Sequence, residues 1–142
     1  MRDGYDQSPL NPLPPVVWLL ALPIIGIELA LSAGQYGLAG NPAAIGWRGD
    51  AIQKYALSPE MLGQMWQSGL WPVSLLRRFV TYPFVHVNFT HALFVVVFLL
   101  ALGKMVAEIF RPWAVLAVFF GAAIAGGVAY SLVPAAQIGL IG

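Results

Sequence analysis

Cysteine is absent from all 142 residues, and charge is scarce, with Asp, Glu, Lys and Arg together making up 9% of the chain. The first absence excludes a disulfide framework, a thiolate metal site and a cysteine nucleophile. The second excludes more. An ordinary soluble domain is about 25% charged and roughly 45–50% apolar. Here 59% of the residues are hydrophobic, and the mean hydropathy is +0.77. Too few polar side chains remain to coat a water-soluble globule, so a soluble enzyme and a disordered tail are both excluded. A net charge of +1 implies no polyanionic partner, and no nucleic acid is expected. What the chain does have is long apolar runs, and these imply an integral membrane protein of few spans.

A transmembrane helix needs about 20 mostly apolar residues, each rising about 1.5 Å through a hydrocarbon core about 30 Å thick. Three stretches qualify: 16–34, 87–108 and 112–133. In lipid the backbone must bond to itself, so these are expected to be helices. Pro23 and Gly26 predict a bend in the first. The rival reading of that stretch is a signal peptide, because Ala30-Leu31-Ser32-Ala33 resembles a small-residue cleavage site. Asp3, Asp6 and Glu28 argue against it.

Residues 1–15 form a polar, proline-rich lead-in, and residues 35–86 an interfacial loop. Ser58-Pro59-Glu60 predicts a short helix with Ser58 as its cap and Pro59 in the first position. Met61, Leu62, Met65 and Trp66 then share one face, as in an amphipathic interfacial segment. Trp47, Trp66 and Trp71 suit the membrane–water boundary. The long loop carries Arg48, Lys54, Arg77 and Arg78, and the other side carries Arg2, Lys104 and Arg111. This balance does not fix the orientation.

Strongly polar residues at membrane depth are the candidates for chemistry. The two histidines, His86 and His91, stand at the entrance to the second span. On a continuous helix, five residues place two rings about 140° apart, so they do not converge. A break before Asn88 changes that. No third ligand accompanies them, so neither a metal nor a cofactor is expected. Asn88 or Thr90 is expected to cap the span. Glu28, deep in the first span, must be protonated, paired or near the interface; its plain reading is the membrane edge. In 112–133, Ala122 with Gly126 and Ala123 with Gly127 set small residues four apart, a spacing that predicts close packing against a neighbouring span.

The text around the histidines is more specific. Arg78, Thr81-Tyr82-Pro83-Phe84, His86 and His91 fall in the register of the rhomboid family of intramembrane serine proteases, and the stretch 78–103 resembles that family. Gly103 matches the glycine that commonly closes the family's helix, and Glu108 resembles the glutamate beyond it, one residue late. Together with the three apolar runs, the resemblance implies a rhomboid-like all-α membrane protein, here of three transmembrane helices with an interfacial helical loop. It also implies a serine endopeptidase acting on transmembrane protein substrates in the lipid bilayer, and a bacterial inner (cell) membrane location. His91 is implied as the oxyanion-side catalytic residue, with His86 as a second catalytic candidate and Arg78 as the organiser of the loop.

Two departures accompany the resemblance. The family's asparagine, four residues after the second histidine and on the same face, is Val95 here, which has no donor. Removing one oxyanion donor costs about 2.7–4 kcal/mol of transition-state stabilisation. The family's Gly-x-Ser-Gly nucleophile motif is absent too. Ser8, Ser32, Ser58, Ser68, Ser74 and Ser131 all lie elsewhere, and no histidine follows His91. A serine hydroxyl without an adjacent base is a weak nucleophile. The chain is therefore expected to represent the amino-terminal half of such an enzyme, inactive alone, with 134–142 leading toward the missing motif. The alternative is a catalytically dead rhomboid-like protein that binds transmembrane helices.

Overall fold

Pro15 opens the first long helix, where its fixed φ and missing N–H are both acceptable. α1 runs from Pro15 to Gln35. It continues through Pro23, as helices in lipid tolerate. The computed structural model describes residues 12–131 and residue 141. Most of the polar lead-in and most of the loop expected at 134–142 lie outside the described residues, as does the end of the third predicted span.

The predicted interfacial loop is a chain of short helices. A 3₁₀ turn, Pro42–Gly46, begins where Asn41 Oδ1 accepts the Ala43 N–H at 3.0 Å. It leads into α2, Trp47–Tyr55. α3, Pro59–Ser68, begins as its sequence predicts: Pro59 stands in the first turn and Ser58 Oγ accepts the Met61 N–H at 3.3 Å. Gly69 ends it with φ +66°, a left-handed conformation that glycine adopts without a Cβ clash. Leu62 and Met65 are buried, whereas Trp66 is exposed and meets Trp71 edge to face at 5.0 Å. α4, Val73–Leu76, and α5, Arg78–Thr81, then run into a 3₁₀ turn at Tyr82–Phe84.

Two further long helices follow, α6 at Phe89–Ile109 and α7 at Pro112–Ser131. With α1 they make three helices long and apolar enough to cross a membrane. Asn88 is the cap of α6, its Oδ1 accepting the His91 N–H at 2.9 Å. All three helices present large apolar side chains outward, among them Leu19, Leu29, Phe94, Phe98 and Val118. In water such a surface would aggregate; in lipid it needs no cover. The fold is therefore an all-α membrane architecture.

α6 packs chiefly on α1, with α7 against both. Gly103 explains how close α1 and α6 come. A Cβ built there would stand 3.2 Å from Val17 Cγ2. Gly103, which matches the family's glycine, is a packing notch inside α6, and the helix runs on to Ile109. The expected packing of the small-residue face of α7 is corrected. Ala123 and Gly127 are buried, and a Cβ at Gly127 would meet Leu57 Cδ1 at 2.9 Å and Phe79 Cδ1 at 3.0 Å. The partner is the interfacial segment rather than another span. Ala122 and Gly126 stay exposed. Leu57, Leu62, Met65, Tyr82 and Ala123 form one buried cluster on that side, and Leu20, Ala107 and Val115 form a second between the long helices.

Candidate functional site

The two histidines meet. His86 lies in the segment after the 3₁₀ turn, before the Asn88 cap, so the two rings do not lie on one continuous helix. Their centroids are 5.3 Å apart at an interplanar angle of 81°. The separation expected for a continuous helix is corrected for that reason. His91 stands in the first turn of α6 and is exposed; His86 is 1% exposed. Neither His86 Nδ1 nor Nε2 has a hydrogen-bond partner among the described residues. Burial holds the His86 imidazole below its ordinary pKa, and the adjacent His91 acts in the same direction. At neutral pH the ring is therefore uncharged.

Beside the pair lies a cluster that the sequence reading did not assemble. Glu28, on α1, faces Arg48, on α2, with Nη2 to Oε1 at 2.7 Å and Nη1 to Oε2 at 3.1 Å. Glu28 therefore has a partner, and the plain membrane-edge reading gives way to a buried ion pair. The Ser32 hydroxyl donates to Glu28 Oε1 at 2.7 Å, and Arg48 Nε donates to Gln35 Oε1 at 2.9 Å. Residues 28, 32 and 35 share one face of α1 because they are spaced four and three apart. A further bond leaves the cluster: Arg48 Nη1 donates to the His86 backbone carbonyl at 2.8 Å. One sequence signal could have found Arg48. A carboxylate inside an apolar run requires a cation, and a guanidinium can bind a carboxylate at two points.

Arg78 serves a different part of the loop. Its Nη1 donates to the Ala56 carbonyl at 2.9 Å and the Gln53 carbonyl at 3.1 Å, at the end of α2. The Tyr82 hydroxyl donates to the Ala123 carbonyl at 2.8 Å, tying the 3₁₀ turn to α7. Burial raises the pKa of that phenol, which keeps it a donor. Val95 does not join the histidines in a polar site. It lines a wholly apolar cleft of about 300 Å³ between α6 and α7, with Phe98, Leu99, Leu102, Val115 and Phe119. Glu108 is exposed, 3.9 Å from Lys104 one turn earlier.

Residues 73–142 match the family model of the Rhomboid domain. The chain belongs to the rhomboid family. No individual curated protein and no solved structure gives a match. The matched region contains α4 to α7, both histidines, Arg78 and Val95. The Glu28–Arg48 cluster lies ahead of it and reaches into this rhomboid domain through the His86 carbonyl.

Proposed function

We propose that this chain supplies the scaffold and the oxyanion-side elements of a rhomboid-family intramembrane serine endopeptidase acting on transmembrane protein substrates. The observation that carries the reading is the assembled His86–His91 pair at the mouth of α6, inside the region that matches the rhomboid family model. His91 is the proposed donor to the oxyanion that forms when a serine attacks a peptide carbonyl. The Asn88 cap fixes its backbone N–H in the first turn of α6, and the ring leaves that turn against His86. Arg78 is the proposed organiser of the interfacial loop, through the carbonyls of Gln53 and Ala56. The bacterial cell membrane is the proposed location.

The nucleophile and its general base must come from outside the 142 residues. No Gly-x-Ser-Gly motif is present, and no histidine follows His91. Chemistry by this chain alone would need a serine activated by a neighbouring base. Ser32 is part of the ion-pair cluster, where its hydroxyl donates to Glu28, and Ser58 caps α3.

Val95 favours the second reading, a rhomboid-like membrane protein that binds transmembrane helices without cutting them. It replaces a hydrogen-bond donor with an apolar side chain that lines an apolar cleft. One experiment addresses both readings. The purified chain in lipid nanodiscs is offered a transmembrane substrate and a serine-directed fluorophosphonate, alone and together with a rhomboid carboxy-terminal half that supplies the serine and histidine. The expected result is neither cleavage nor labelling alone, and both on complementation. Labelling of one of the chain's own serines would overturn the account of the missing nucleophile. Complementation that restores helix binding without cleavage would favour the second reading.

A further inference from the structure

His86 presents an unusual problem of placement. Its ring is buried, yet both ring nitrogens lack a partner among the described residues. The Phe84 backbone acts on the ring as a weak acceptor, but no hydrogen bond of good geometry orients it. Its position is set by its backbone and by packing. The backbone from Val85 to Asn88 belongs to no helix or strand ladder, so regular structure does not fix it either.

Two tethers do. On one side, Asn88 Oδ1 accepts the His91 N–H and fixes the start of α6. On the other, Arg48 donates to the His86 carbonyl at 2.8 Å. The Arg48 side chain is itself held at every nitrogen. Nε bonds Gln35, Nη1 bonds Glu28 as well as His86, and Nη2 bonds Glu28 and Ser32. Three of these partners lie on a single face of α1, so the guanidinium is anchored to a long helix. A planar fork with several donors can hold a carboxylate and a carbonyl at once; an ammonium is a point charge on a flexible stem.

We infer that Arg48, clamped by Glu28, is a positioning residue for the His86–His91 pair. The cluster transmits the placement of α1 to the His86 carbonyl, and so sets the edge-to-face contact of the two rings. The catalytic significance of this role rests on the proteolytic reading above, but the geometric role does not. Neither Arg48 nor Glu28 touches a reacting atom. The partners are spread over residues 28, 32, 35, 48 and 86, so the device requires α1, α2 and the segment before α6 to fold together.

The test uses the whole chain in lipid nanodiscs with labelled histidine. There are two histidines, so His86→Asn assigns both ring signals. The expected wild-type signature is cross-relaxation between the two rings. Arg48→Lys and Glu28→Gln are expected to weaken it by roughly threefold or more, because neither retains the two-point fork. Glu28→Asp, which keeps the carboxylate, is expected to recover part of it. Leu62→Ala, in the separate buried cluster, is expected to lower the unfolding temperature and keep the ring signature. Full ring contact in Arg48→Lys, or equal loss in Leu62→Ala, would overturn the inference. If the Arg48 and Glu28 variants do not fold, the unmodified chain decides the matter. Its Arg48 Nη protons should exchange slowly and show coupling across the hydrogen bond to the His86 carbonyl carbon. A freely exchanging guanidinium would overturn the inference. Ring contact is read without substrate. An inactive complemented enzyme with an Arg48-dependent ring contact would therefore count against the proteolytic reading alone.

Discussion

The Tyr82 hydroxyl donates to the Ala123 carbonyl across 41 residues of sequence, at 2.8 Å and in a buried setting. The bond joins the Tyr-Pro-Phe turn to the middle of α7, beside the buried Leu57, Leu62 and Met65. It pins the interfacial segment to α7, as the Arg48 bonds pin it to α1. Tyr82→Phe keeps the ring and removes the donor. The expected cost is about 1 kcal/mol, typical of one buried neutral hydrogen bond. Tyr82→Ala also removes the ring from the cluster and should cost about 3 kcal/mol or more. Denaturant unfolding in micelles, followed by Trp fluorescence, measures both. Equal effects of the two substitutions would show that the hydroxyl bond carries the whole contribution.

Breaking the Glu28–Arg48 pair from one side leaves the other charge buried. Glu28→Gln or Arg48→Met alone should destabilise by about 3–5 kcal/mol. The double change Glu28→Gln with Arg48→Met removes both charges and should cost distinctly less than the sum of the two single changes. Thermal unfolding of the four proteins as a double-mutant cycle checks this. Additive losses would mean that the two side chains do not act as a pair.

Two glycines predict an order of tolerance. A Cβ at Gly34 would stand 2.5 Å from the Ala44 carbonyl oxygen, a backbone atom with little freedom to move. A Cβ at Gly127 would meet the outer atoms of Leu57 and Phe79 at 2.9–3.1 Å, and those side chains can adjust. Gly34→Ala should therefore fall in the upper part of the range of about 1–3 kcal/mol for overpacking, and Gly127→Ala in the lower part. Comparison of unfolding midpoints decides the order.

His86 gives the chain a pH dependence of stability. Its imidazole titrates below the ordinary value in the folded state because burial disfavours the charged form. The unfolded chain then binds more protons than the folded one between the lowered pKa and about 6.5. Stability is full above that window and falls as the pH drops through it. Glu28 and the Phe84 backbone oppose the shift, whereas His91 and Arg48 reinforce it. Replacing His86 with Asn should flatten this part of the profile. Unfolding midpoints measured from pH 7.5 down to 5 would check the slope, and an unchanged slope in the variant would assign it to another group.

Much of this protein could be read from its residues one at a time. The three long helices follow from long, mostly apolar runs, because a backbone in lipid can satisfy itself only by local bonding. The start of α3 follows from Ser58 and Pro59, and the start of α6 from Asn88, because caps act on N–H groups two or three residues away. The family could be read from the register of Arg78, Tyr82-Pro83-Phe84, His86 and His91. These are local facts, and local facts survive in a linear text.

What the tertiary structure decided was which distant residues meet. The sequence shows that Glu28 wants a cation but does not single out Arg48, nor join Arg48 to the His86 carbonyl, because a guanidinium's partners depend on how α1 and α2 pack. The helical interval between His86 and His91 misleads for the same reason, since the chain turns before Asn88. The partners of Gly103 and Gly127 become visible only when Val17, Leu57 and Phe79 are brought against them. Local order follows from nearest neighbours in sequence. The site follows from packing, where contact is set by the whole fold at once.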